Sequence, residues 1–204
     1  MMKKIIVDIL MFILMLVEFS KVHLPPEIHE IVGICLFVLV IIHLILNRKY
    51  IRAIPKGKYN LKRSTLLIIN VAFMIVFFST IIFGLLSSQK ILTFLNIGSL
   101  TAVYLHKILA YLSLILLGIH LGVNLSGMFN KIEEKISNRS VLYLIYIILI
   151  VLGIYSFIDV DFYNHLIGNY GFSLVRGNLI TSILEYLSIT VMITLVVNLI
   201  YRRI

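Results

Sequence analysis

Six apolar runs divide this chain, each near the ~20 residues that carry a helix across a bilayer's hydrocarbon core. They are Ile5–Ser20, Ile28–Asn47, Ser64–Leu86, Leu100–Leu125, Val141–Ile158 and Asn178–Tyr201. Inside a bilayer every backbone N–H and C=O must be satisfied by the segment itself, so runs of this length are helices. Composition agrees: 61% of the 204 residues are hydrophobic and 13% are charged. An average soluble domain is ~25% charged, so little is left from which to build a water-facing surface. The expected fold is an all-α membrane protein of six transmembrane helices. The first run, with Lys3 and Lys4 before it, has the flanks of a signal peptide. Asp8 and Glu18 interrupt it and no small-residue cleavage site follows before Pro25-Pro26, which favours a retained helix.

The basic residues set an orientation. Lys3, Lys4, the seven Lys/Arg between Arg48 and Arg63, then Lys131, Lys135, Arg139, Arg202 and Arg203 all fall on one side of the six crossings. That is fourteen of the eighteen Lys/Arg residues. The positive-inside rule places this side, and with it both termini, in the cytoplasm of a cell membrane. The net charge of +9 is thus topological, with no nucleic acid implied. The lone Cys35 excludes an intramolecular disulfide and a CxxCH haem attachment site. The longest non-apolar stretches, Arg48–Arg63 and Asp159–Gly177, are loop-sized. The latter, with Tyr163, His165, Tyr170 and Phe172, has the composition of an interfacial segment.

Four of the six histidines lie in the second and fourth runs, as His29 and His43, and His106 and His120. Each pair is spaced by 14 residues, which returns the side chain to within about 40° of the same helix face and separates the two rings by about 21 Å. The two segments resemble each other. HEIVGICLFVLVIIHLILN from His29 and HKILAYLSLILLGIHLGVN from His106 match without gaps at seven of nineteen positions. Both place a small residue four after the first His (Gly33, Ala110) and Asn four after the second (Asn47, Asn124). Two crossings apart, the helices run parallel, which sets His29 level with His106 near the outer face and His43 level with His120 near the inner one.

Two facing imidazoles at each level are the axial ligand set of a bis-histidine haem, an arrangement suited to electron transfer. The expectation is two non-covalent b-type haems, with iron ligands His29/His106 (outer) and His43/His120 (inner). Gly33, Ala110, Gly118 and Gly122 are short enough to admit a flat ring. Each ligand also needs an acceptor for its other N–H, for which backbone carbonyls one turn away and the hydroxyls of Ser79, Thr80 and Ser113 are candidates. His23 and His165 fall in outer loops, where His23 with Glu27 and Glu30 lacks metal-ligand spacing. Glu185, about two turns into the last helix, is a costly intramembrane charge. It is a candidate for accepting a quinol proton or for pairing with Arg176 or a tyrosine.

The runs His29-Glu30-Ile31-Val32-Gly33, Ile42-His43-Leu44 with Asn47-Arg48-Lys49, and His106 with Gly118-Ile119-His120-Leu121-Gly122 resemble the flavinylation-associated cytochrome family. The similarity covers residues 1–129, a four-helix haem-binding core, with two further helices in 130–204. The layout is also similar to the dihaem four-helix core of cytochrome b subunits. The resemblance implies a membrane cytochrome, an electron-transfer subunit of a quinol-dependent oxidoreductase system, that passes electrons from quinol to an extracytosolic flavinylated protein. It carries the haem-ligand role onto His29, His43, His106 and His120. Members often have a further His four residues after the last ligand, where this chain has Asn124. No flavin-attachment threonine motif is present, so a flavinylated acceptor would be a separate chain. The competing reading is a proton- or metal-translocating transporter or channel that uses the intramembrane histidines and Glu185.

Overall fold

The computed structural model describes residues 2–136, 138–169 and 177–203. Six long helices match the six apolar runs to within a few residues. They are α1 (Met2–Phe19), α2 (Pro26–Leu46), α4 (Leu61–Leu85), α5 (Leu100–Asn124), α7 (Arg139–Asp159) and α9 (Leu179–Tyr201). Three shorter helices lie in the connections: α3 (Arg48–Ala53), α6 (Ser126–Lys135) and α8 (Phe162–Leu166). Local chemistry explains the starts. Pro26 at the first turn of α2 gives up an N–H that would have no helical partner. Asn60, Ser99 and Asn138 each accept from the first turn of the helix they precede. Asn178 and Thr181 form a reciprocal capping box on α9.

The chain is an all-α membrane protein. Helices α2, α4, α5, α7 and α9 are long and apolar enough to cross a membrane. Helix α1 carries Lys3, Lys4, Asp8 and Glu18 and falls outside that set, although the sequence predicts a sixth span there. On α7, Ile147, Ile148, Val151, Leu152 and Tyr155 stand exposed, an apolar face suited to lipid and costly in water.

Helices α5 and α9 are central. α4 lies along α5, α7 along α9, and α1 along α2 while also touching α9. Both termini reach the basic end of the bundle, where Lys4 Nζ donates to Asn47 Oδ1, the Tyr201 hydroxyl to the Lys62 carbonyl, and Arg202 Nη1 to Asn130 Oδ1. One buried cluster joins the two halves of the sequence: Met15, Leu16, Leu36, Phe77 and Leu114 pack with Phe162, Tyr186 and Ile189. The C-terminal helices are therefore part of the core that encloses the histidines. In the 159–177 loop, α8 packs on α5 and its Phe162 is fully buried. Tyr170, Phe172 and Arg176 lie outside the described residues.

Candidate functional site: two histidine pairs

The folded chain brings the predicted partners together at both levels. The rings of His29 and His106 face each other with centroids 6.2 Å apart and planes at 76°. His43 and His120 are close enough at the other level to interact electrostatically, with Asp8 beside them. Leu36, Phe77, Leu114 and Leu117 fill the layer between the two levels.

Each histidine points its Nδ1 at an oxygen on the neighbouring helix. On α2, His43 Nδ1 lies 2.7 Å from Asp8 Oδ1 and His29 Nδ1 lies 2.8 Å from Glu18 Oε2, both on α1. On α5, His120 Nδ1 lies 2.9 Å from Asn70 Oδ1 and His106 Nδ1 lies 2.9 Å from the Thr80 carbonyl, both on α4. Carboxylates and carbonyls only accept, so each contact places a proton on Nδ1, and in the neutral ring the lone pair is then on Nε2. The four contacts repeat as a set. Asn70 and Thr80 follow Asp8 and Glu18 by 62 residues each, just as His106 and His120 follow His29 and His43 by 77. The paired asparagines repeat too, Asn47 Nδ2 donating to the His43 carbonyl and Asn124 Nδ2 to the His120 carbonyl. Duplication visible in one helix thus extends to a hairpin, α1–α2 against α4–α5.

Sequence reasoning missed most of this. The acceptors are neither carbonyls one turn away on the same helix nor hydroxyls; of Ser79, Thr80 and Ser113 only Thr80 takes part, through its carbonyl. The Thr80 hydroxyl instead donates to the Val76 carbonyl and lies 3.1 Å from Ser113 Oγ. Asp8 and Glu18 were legible as costly intramembrane charges, and their equal spacing to Asn70 and Thr80 was the available signal. Gly33 and Ala110 do line the cavity between the histidines, whereas Gly118 and Gly122 face α9. The glycine that admits a ligand ring is Gly84, where a Cβ would come within 2.9 Å of His106 Cε1.

A cavity of about 720 Å³ opens around His29 and His106, within the ~300–1,000 Å³ of ligand pockets. A smaller one of about 220 Å³ lies on the other side of the same two rings. Lys21 and Lys107 stand at the rim of both. Burial, and then the nearby Lys107 ammonium, hold Lys21 below its ordinary pKa, so an anionic group there would relieve two like charges. Glu185 reaches this cavity and shares a hydrogen bond with Asp159. His165 stacks on Tyr111 at 4.9 Å, and the Tyr111 and Tyr186 hydroxyls lie 3.2 Å apart. Glu27 pairs with Lys90 at 3.2 Å, and Glu30 accepts from the backbone of Gln89, Lys90 and Ile91, so neither carboxylate turns to His23.

The donor set suits a haem iron better than a bare ion. Among the described residues no group of three or more His, Cys, Asp or Glu is placed to hold a metal. Two imidazoles are an incomplete set for a bare ion, but complete one whose other four positions a macrocycle fills. Imidazole nitrogen binds a first-row metal at about 2.0–2.1 Å, and the His29 and His106 ring centroids, 6.2 Å apart, are near enough for both to reach one ion. His29 Nδ1 and Glu18 Oε1 are buried without an aligned hydrogen bond despite the short approach of the two side chains. At the other level Asn47 Nδ2 lies 3.3 Å from His43 Nε2, a contact that a bound ligand would replace. No family model, curated protein or solved structure matches the chain.

Proposed function

We propose that this protein is a transmembrane electron-transfer cytochrome that holds two b-type haems, one between His29 and His106 and one between His43 and His120. The observation that carries the reading is the repeated Nδ1 contact, which occupies the Nδ1 side of all four rings and leaves the Nε2 side of each to bind. Metal-bound histidines characteristically donate their other N–H to a carboxylate or carbonyl, which fixes tautomer and ring orientation. When bound, the haems supply one-electron reduction and oxidation at the two membrane levels. The chain's own residues do the rest. His29, His43, His106 and His120 bind; Asp8, Glu18, Asn70 and Thr80 orient them; Lys21 and Lys107 offer charge to anionic substituents at the outer site.

Leu36, Phe77, Leu114 and Leu117 form a buried apolar layer between the levels. That supports electron passage over the competing reading of a proton or metal pathway, which needs a wet route between the histidines. With both termini in the cytoplasm of a cell membrane, the outer pair would serve extracytosolic partners. We assign quinol as the donor and a separate flavinylated extracytosolic protein as the acceptor, with this chain the electron-transfer subunit of the system.

A reduced-minus-oxidised absorbance spectrum of protein purified after expression with ample haem tests the reading. The expected result is a Soret band, sharp α-bands and two haems per chain, falling to one in His120→Ala. Colourless protein overturns it.

A further inference from the structure

The two hairpins present the same four contacts but different chemistry. Helix α1 offers carboxylates, Asp8 to His43 and Glu18 to His29. Helix α4 offers neutral oxygens at the equivalent positions, the Asn70 amide to His120 and the Thr80 carbonyl to His106. Since the pairs form across the hairpins, each level has one histidine backed by a carboxylate and one backed by a neutral group. Orientation alone does not call for this. Asn70 shows that an amide aligns an imidazole in the same setting, at no cost in charge. A buried carboxylate is expensive unless it is paired or serves something, and Glu18 is held with its side chain only 16% exposed.

We propose that α1 is a tuning helix: Asp8 and Glu18 make His43 and His29 the electron-rich ligand of each pair and so favour the oxidised state of both haems. The inference rests on the dihaem reading. Its physical basis is simple. A carboxylate accepting the Nδ1 proton raises the basicity of Nε2, and second-shell hydrogen bonding is one of the levers by which a protein sets a haem potential. Oxidised iron carries one more positive charge than reduced iron, so a nearby negative charge stabilises it. The effect falls with solvent screening. By charge alone Glu18 is therefore the stronger of the two, because the Asp8 side chain is 50% exposed against 16% for Glu18.

Spectroelectrochemical titration of the full-length protein in nanodiscs, with haem content measured alongside, provides the test. Glu18→Gln should raise the outer potential, increasing the reduced-to-oxidised ratio at a fixed applied potential about tenfold, or about 59 mV for a one-electron couple. Asp8→Asn should raise only the inner potential, by about threefold in the same ratio given the screening at its exposed position. A variant that loses its haem cannot report a potential, so the reciprocal change Asn70→Asp supplies the decisive arm. It places a carboxylate on the neutral side of the inner pair and should lower the inner potential. Haem-loaded Asn70→Asp with an unchanged inner potential, or haem-loaded Glu18→Gln with an unchanged outer one, overturns the tuning role and leaves α1 with orientation only. Absence of haem from the unaltered protein would instead overturn the dihaem reading itself.

Discussion

At the scale of single residues, the histidines depend on small neighbours that a sequence does not single out. His106 reaches the Thr80 carbonyl because Gly84, one helical turn further along α4, has no side chain. A Cβ at position 84 would sit 2.9 Å from His106 Cε1 and 3.0 Å from Nδ1. The ring cannot yield toward its acceptor and would swing into the cavity. On the proposed dihaem function, Gly84→Val should therefore cost the outer haem and spare the inner one, seen as a halved haem-to-protein ratio. Gly127→Ala is the matched control, since a Cβ there meets nothing within 4 Å. Equal loss in both variants would show that the contact with His106 is not what matters. The four histidines and their pairing were legible from spacing alone. Their acceptors were not, because each comes from the other helix of its hairpin, at separations that run from 11 residues for His29 to 50 for His120.

At the scale of helices, the small residues of α5 do two jobs. Its Ala110 lines the cavity beside the histidines, while Gly118 and Gly122 meet α9. A Cβ on Gly118 would lie 2.7 Å from Ile193 Cβ, and one on Gly122 would lie 2.8 Å from the Thr194 carbonyl. The close approach lets Thr194 Oγ1 donate to the Gly118 carbonyl at 3.1 Å and Asn198 Nδ2 to the Gly122 carbonyl at 3.0 Å. Lipid gives no hydrophobic drive to helix association, so backbone proximity and interhelical hydrogen bonds supply it. Gly122→Leu should destabilise the bundle by at least the ~1–3 kcal/mol of overpacking, read as a lower denaturation midpoint in detergent. An unchanged midpoint would mean that α9 does not pack there.

A second inter-element lock lies at the basic end. Arg202 Nη2 donates to Glu133 Oε1 at 2.8 Å and the Tyr146 hydroxyl donates to the same oxygen at 2.9 Å, joining α6, α7 and the end of α9. The Arg202 hydrogen bond in particular holds the Glu133 carboxyl below its ordinary pKa of 4.5. A lowered carboxyl pKa stabilises the fold above the unfolded value, and that contribution is lost as pH falls through the folded one. The thermal midpoint should drop on acidification below 4.5, and Glu133→Gln should remove this part of the pH dependence.

At the scale of the whole molecule, the basic and the less basic ends should lie on opposite sides of the membrane. The sole cysteine, Cys35, can be removed as Cys35→Ala. In that background, Lys58→Cys should react with an impermeant maleimide only in inside-out vesicles, and Gln89→Cys only in right-side-out ones. Labelling of both from one side would overturn the arrangement. The same packing makes the C-terminal helices part of the site rather than an appendage, since Phe162, Tyr186 and Ile189 share a buried cluster with Met15 and Leu36.

The amino-acid sequence by itself determined the membrane class, the six helices and the duplicated histidine register. Each follows from local composition, from the 3.6-residue period, or from the comparison of one segment with another. The tertiary structure alone decided which oxygen faces each histidine, which glycines meet a ring and which meet a helix, and that Glu185 turns to Asp159. The reason is physical. These helices are apolar around most of their circumference, so no hydrophobic face dictates their neighbours. Rotation and partnership are set by a few small and polar residues that find one another only across the bundle.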